Sequence, residues 1–191
     1  MTPFISQFAA GLAQIAHEAG QLVLKHYSAG TPARVKSDFS PVTAADEEAE
    51  ALILRRLALL APGVPIIAEE EMAAGRAPPE LGTRFFLVDP LDGTKEFLNR
   101  NGEFTVNIAL IEDARAVCGI VLAPAMARLF IGDGANGAYE LTYAADRPRA
   151  ATEAKAIQLR RAREDGLVAT RRRTPRRTKT ADISAASPSA A

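Results

Sequence analysis

Apolar residues recur at helical spacing from Phe4 through Ile5, Phe8, Leu12, Ile15, Ala19, Leu22, Val23 and His26. That period predicts a long amphipathic helix ending near Tyr27. Thr2-Pro3 in front of it reads as an N-cap and first helical residue. His17 and His26 lie on or beside the stripe, at a spacing that fits no metal motif, and are expected to be structural. Lys36 to Pro41 reads as a polar turn. A second helix is expected from near Thr43 through Glu47, Leu52, Ile53 and Leu57 to about Leu60, with Pro62-Gly63 ending it. Val64 to Ala68 then forms a short strand with Glu69-Glu70-Glu71 at its end. A Gly/Pro loop covers Ala73 to Gly82, and an apolar strand, Arg84 to Val88, runs straight into Asp89.

Thr94 is expected to cap a short helix, Lys95 to Asn99. Phe104 to Ile111 and Ala116 to Leu122 resemble a hairpin turning at Glu112-Asp113. Ala127 to Ile131 and Gly137 to Leu141 are candidates for two more strands. Two helices followed mostly by strands predict an α+β fold, with helices layered on one face of a largely antiparallel sheet.

Length and composition narrow this further. At 191 residues, 48% apolar and 24% charged, the chain has the size of one domain and most of it should fold. Cys118 is the single cysteine, which excludes an intrachain disulfide. Its apolar neighbours, Ala116 to Val121, predict a buried, reduced thiol and a cytosolic compartment. No stretch is apolar enough to span a membrane. The N-terminal stripe is broken by Gln7, Gln14, His17 and Glu18 and lacks a basic lead, unlike a signal peptide.

The formal charge of zero conceals a split. Residues 155–191 hold ten of the 23 basic and three of the 23 acidic side chains, leaving thirteen and twenty in residues 1–154. The body is therefore near −7 and the tail near +7. After Val168 come Arg171-Arg172-Arg173 and Arg176-Arg177, then Ala, Ser, Thr and Pro, with Ile183 as the one large aliphatic residue. Such a composition cannot build a core, so residues 170–191 are expected to be disordered. A nucleic-acid-binding role for this basic tail is the reading from another class. It lacks aromatic residues for stacking and any nucleic-acid-binding motif, so no specific nucleic acid is expected.

The strongest chemical signal is Asp89-Pro90-Leu91-Asp92-Gly93-Thr94. Two carboxylates three apart follow an apolar strand, and Pro90 and Gly93 turn the chain so that both can face one site. A helix N-terminus comes next, where free N–H groups and a positive dipole end suit a phosphate. Hard carboxylate oxygens with room for water suit Mg²⁺. Glu69, also ending a strand, can add a third carboxylate, and cations would offset the mutual repulsion. The structural alternative is an acidic turn in which Asp89 or Asp92 only caps the helix. Thr43-Ala44-Ala45-Asp46 fits a capping box, and Asp46 could equally polarise a water; sequence leaves both open. Lys36 is a solvated lysine by default. A haloacid-dehalogenase reading fails because the acids are one residue too far apart, and a Walker B reading fails for want of GxxxxGK[ST].

With these residues the chain resembles the inositol monophosphatase superfamily, and within it the CysQ-type 3'(2'),5'-bisphosphate nucleotidases. Asp89 to Thr94 matches the superfamily motif. Lys95-Glu96-Phe97 and Arg100 to Ile111 look like the CysQ branch, where inositol monophosphatases proper usually have Thr-Asn-Phe. Ser40 to Asp46 and Ile67 to Glu70 match the other N-terminal blocks. The likeness covers about residues 4–169 and is most specific over 36–111.

The resemblance implies the N-terminal half of an αβαβα sandwich. Glu69, Asp89 and Asp92 would bind Mg²⁺ through carboxylates and Leu91 through its carbonyl. Asp46 and Thr94 would orient or activate the attacking water. Gly93 and Thr94 would contact the phosphate, with Lys36, Glu69, Leu91 and Asp92 as further substrate contacts. The implied reaction converts adenosine 3',5'-bisphosphate to AMP and phosphate, with inhibition by lithium; a general inositol monophosphatase-type sugar phosphatase is the alternative. The implied location is cytoplasmic, or peripheral on the cytoplasmic side of the inner membrane.

The family's second domain carries a Trp-Asp-x-Ala block after a Gly-Ser block. Neither is present here, and the likeness fades after Gly166-Leu167-Val168-Ala169. The expected organisation is therefore an N-terminal domain over 1–154, a partial connection over 155–169 and the basic tail over 170–191. A truncated or frameshifted chain with impaired activity is expected.

Overall fold

Ser6 starts the first helix. Its hydroxyl accepts a hydrogen bond from the Ala9 amide at 3.1 Å, and helix α1 runs Gln7–Ala29. The start is thus later than the Thr2-Pro3 pattern implied; Thr2 and Pro3 lie outside the residues that the computed structural model describes, which are 5–30, 32–35, 41–134, 136–144 and 147–158. Gly30 closes α1 in the left-handed region at φ 76°, donating its amide to the His26 carbonyl. A small hairpin, β1 (Ala33–Val35) with β2 (Pro41–Thr43), leads into helix α2 (Ala44–Leu60). The polar turn expected from Lys36 falls mostly outside the described residues, and Lys36 with it.

Strand β3 (Ile66–Ala68) follows, and the chain turns at once into a short helix, α3 (Glu69–Ala73). Strand β4 (Arg84–Asp92) leads into α4 (Thr94–Leu98). The remaining strands are β5 (Thr105–Glu112), β6 (Arg115–Ala123), β7 (Arg128–Asp133), β8 (Gly137–Ala144) and β9 (Arg147–Ile157). The expected β5–β6 hairpin is present, its turn made by Asp113 and Ala114 at φ 46° and 61°. Strand β9 had no counterpart in the sequence reading.

Seven strands form one sheet in the order β3-β4-β5-β6-β7-β8-β9, antiparallel throughout except for the parallel pair β3–β4. Helix α1 packs on β5, β6 and β7, and α2 on β4. The core forms where alternate strand residues meet the helical stripes. Phe86, Val106, Ile108, Ile120, Leu129 and Ile131 lie against Leu12, Ala16, Ala19, Val23, Ile53 and Leu57. This is the α+β arrangement with helices layered on a largely antiparallel sheet. Cys118 is buried in that core, and burial, then the charge of Asp133, pushes its thiol up to about 11, which fits an inert core residue.

Among the described residues no helix is long and apolar enough to cross a membrane. The chain separates into units 1–159 and 160–191, and the second lies outside the described residues, as does the expected tail. Of the connection expected over 155–169, residues 155–158 are described, and β9 ends within them at Ile157.

Candidate active site

Strands β3 and β4 run parallel with Ala68 beside Val88. The next residue on each is acidic, so Glu69 and Asp89 emerge side by side at the same end of the sheet. The phase of β4 decides which way Asp89 faces. Phe86 and Val88 point into the helix-covered core, so Leu87 and Asp89 belong to the opposite face. Between Asp89 and Asp92 the pairing of β4 with β5 slips: Asp89 lies opposite Asn107, but Asp92 lies opposite Thr105. Such an irregularity takes the intervening residues out of ladder register and re-aims them. The Leu91 amide donates to Asp89 Oδ1 at 3.2 Å, and the Leu91 carbonyl accepts from the Thr94 hydroxyl at 3.3 Å.

Gly93 makes the corner. It sits at φ 97° and is the N-cap of α4, a role expected of Thr94. A Cβ there would come within 3.0 Å of the Glu103 carbonyl oxygen and 3.3 Å of Phe104 Cα, so only glycine fits both the dihedral and the space. Aromatic packing holds the rest of the corner: Phe97 of α4 meets Phe104 edge-on at 5.3 Å, and Tyr27 of α1 touches both.

With capping left to Gly93, the Thr94 hydroxyl also reaches Asp46 Oδ1, at 3.1 Å. Asp46 is almost fully buried. Its Oδ2 accepts from both the amide and the hydroxyl of Thr43, each at 2.7 Å, which completes the capping box of α2. The two roles left open by sequence thus fall on different oxygens of one carboxylate. Burial raises the Asp46 carboxyl above its ordinary range, and the bonds from Thr43 and Thr94 pull it partly back.

Asp89 is pushed up to about 7, first by burial, then by the charges of Glu69 and Asp92. The close approach of the Glu69 carboxyl adds a smaller upward push. Both line a cleft of about 320 Å³ whose floor is largely apolar, from Ile67 and Leu87 across to Ala109, Gly119 and Val121. Asn107 lines it too, and its Oδ1 is buried without a hydrogen-bond partner.

Sequence reasoning missed Asn107 and Glu50. Glu50 is buried in α2, one turn after Asp46. Its Oε2 accepts from the Glu70 amide at 2.7 Å and its Oε1 from the Glu71 amide at 2.8 Å. The signal was present: acidic residues seldom occupy a helix stripe otherwise made of Ala45, Ala49, Ile53 and Leu57. Of the residues expected in the site, the structure gathers Asp46, Glu69, Asp89, Leu91, Asp92, Gly93 and Thr94 around the β3–α3 and β4–α4 corners. Lys36 lies outside the described residues. Among the described residues no three His, Cys, Asp or Glu side chains are drawn together tightly enough to hold a metal ion by themselves.

The sequence pattern of the inositol monophosphatase family matches residues 5–187 of this chain. The chain belongs to the inositol monophosphatase family. Its relatives within that family include nucleotidases by name: it is 48% identical over 115 residues to the 3'(2'),5'-bisphosphate nucleotidase CysQ of Salmonella typhimurium, covering 59% of this chain and 46% of that one. Solved structures that share the fold include the following. CysQ from Bacteroides thetaiotaomicron, a bacterial member of the family, superposes with a TM-score of 0.59 at 31% identity, over 82% of this chain and 59% of its own. The extragenic suppressor protein suhB from Bartonella henselae superposes with a TM-score of 0.61 at 29% identity, over 71% and 51% respectively. The chain spans about half the length of the curated relatives it matches.

Proposed function

We propose that this chain carries the Mg²⁺-holding part of a phosphomonoesterase site that acts on adenosine 3',5'-bisphosphate, giving AMP and phosphate. One observation carries the reading: Asp89, half-buried beside Glu69 and Asp92, is raised to about 7, first by burial and then by their charges, and it accepts from the amide of Leu91, whose carbonyl takes the hydroxyl of Thr94. Neighbouring carboxylates that repel one another favour a cation, and an all-oxygen donor set selects a hard one. The unpartnered Asn107 oxygen in the same cleft fits a site that takes up water or a further polar group.

Glu69, Asp89, Asp92 and the Leu91 carbonyl would hold Mg²⁺. The bound ions would lower the pKa of a coordinated water and offset charge on the transferring phosphoryl group. The chain's own contribution to proton movement is clearer. Thr43 already occupies Asp46 Oδ2, so Oδ1 is the basic oxygen, and the Thr94 hydroxyl donates to it. That leaves Thr94 Oγ1 able to accept a proton from an attacking water while passing its own to Asp46 Oδ1. The raised basicity of Asp46 suits this transfer. Gly93 and Thr94, at the head of α4, would contact the phosphate.

The named nucleotidase relatives support the bisphosphate nucleotide as substrate, and the test compares it with an inositol phosphate. Phosphate release with Mg²⁺ should be faster from adenosine 3',5'-bisphosphate than from inositol 1-phosphate. The reverse order would assign a sugar phosphatase, and release from neither would overturn the proposed activity.

A further inference from the structure

Helix α2 does more than bear the water-orienting Asp46. Residues 46 and 50 are one helical turn apart and lie on the same face, and both are buried carboxylates. Each fastens a different strand-to-helix corner. Asp46 takes the hydroxyl of Thr94 at the β4–α4 corner. Glu50 takes the amides of Glu70 and Glu71 at the β3–α3 corner, at 2.7 and 2.8 Å. No side chain on α3 or at its N-cap Ala68 supplies that cap, so the first turn of α3 is closed from outside by Glu50. Beyond α3 a forked ion pair of Arg76 with Glu71, both bonds at 2.8 Å, ties the following loop back to the helix.

Glu69 lies immediately before these two amides. It is the first residue of α3, and in the absence of the cap the five-residue helix would have little to fix it. We propose that Glu50 is a positioning residue: by gripping the amides of Glu70 and Glu71 it sets where the Glu69 carboxylate stands relative to Asp89, and so sets the cation affinity of the site. This rests on Glu69 and Asp89 holding a cation, as proposed for the function. A carboxylate is needed because two N–H donors must be accepted at once. Glutamine has the same length, but it offers one oxygen and turns an NH₂ towards the second donor. Partners that orient metal ligands in this way typically govern affinity by about 10–100-fold.

The test is Mn²⁺ binding to the full chain, followed by the electron paramagnetic resonance signal of free Mn²⁺, with amide hydrogen exchange read over residues 69–73. Glu50→Gln should weaken Mn²⁺ binding at least about tenfold and speed exchange at Glu70 and Glu71. Near-UV circular dichroism should be unchanged. Glu47→Gln is the control: Glu47 is on the same helix but exposed, paired with Arg34, and should leave both readings as in the wild type. Should Glu50→Gln fail to fold, Glu50→Asp keeps the charge on a shorter arm and should show the same loss. Wild-type affinity in a folded Glu50 variant overturns the inference. A wild-type chain that binds no Mn²⁺ overturns the cation reading itself, and the inference with it.

Discussion

Asp46 serves two structures with one side chain. Oδ2 closes the capping box on Thr43, and Oδ1 receives the Thr94 hydroxyl. Removing it should therefore be felt twice. Asp46→Ala is expected to lower stability by about 1 kcal/mol through the lost cap. Asp46→Asn, which keeps the shape but not the proton acceptor, should lower phosphate release by about 10²-fold or more. Chemical denaturation and a phosphate assay separate the two effects. Asp89 makes a prediction of its own. Its carboxyl is raised from 3.8 to about 7, so the folded protein holds a proton that the unfolded chain has lost across that interval. Its contribution to stability therefore falls as pH rises through the same interval. Asp46 and Glu50 shift in the same direction, burial leading in each. In EDTA, the melting temperature of Asp89→Asn should rise relative to wild type between pH 4 and about 7. A difference that shrinks or stays flat over that range contradicts the assignment. The Asp89-to-Thr94 run could be read from sequence because its chemistry is local. The stripe of α2 marks Glu50 as unusual, but its role could not be read, because its partners lie on an element twenty residues away that the sequence does not announce as a helix.

The elements that were legible are those with strong local patterning. The capping box fixed the start of α2, and the apolar runs fixed β4, β5 and β6. Three features depended on contacts between elements. Arg147–Ile157 is rich in alanine and charge, a poor strand composition, yet it pairs along β8 as the sheet's last strand. The β1–β2 hairpin is three residues a side. The start of α4 was assigned to Thr94 by its capping preference, whereas a glycine at φ 97° makes the turn and releases the hydroxyl for Asp46. That exchange gives an element-level prediction. Gly93→Ala should cost about 1–3 kcal/mol, from the forbidden dihedral and the approach to the Glu103 and Phe104 backbone. It should also displace Thr94, so phosphate release should fall further than stability alone explains. Urea denaturation beside the phosphate assay would show it, and an alanine variant of wild-type stability would contradict the tight corner.

At the scale of the molecule, the helices cover one face of the sheet and supply Asp46, while Glu69 and Asp89 line a cleft on the other face. On that second face Leu87 and Val121 are 41% exposed, and with Met72 they border the cleft holding Glu69 and Asp89. The β3–β4 pair, the one parallel pair in the sheet, brings two strand ends to the same side. The bulge in β4, Gly93, and the two carboxylates of α2 then fix what stands there. Both the proposed chemistry and the role of Glu50 depend on Glu69, Asp89, Asp92 and the Leu91 carbonyl forming the proposed cation site. Isothermal titration of Mg²⁺ into the wild-type chain and into Asp89→Asn tests it most directly. The account predicts binding by the wild type and at least about a tenfold loss in Asp89→Asn; no Mg²⁺ binding by the wild type, or equal binding by both, would contradict it.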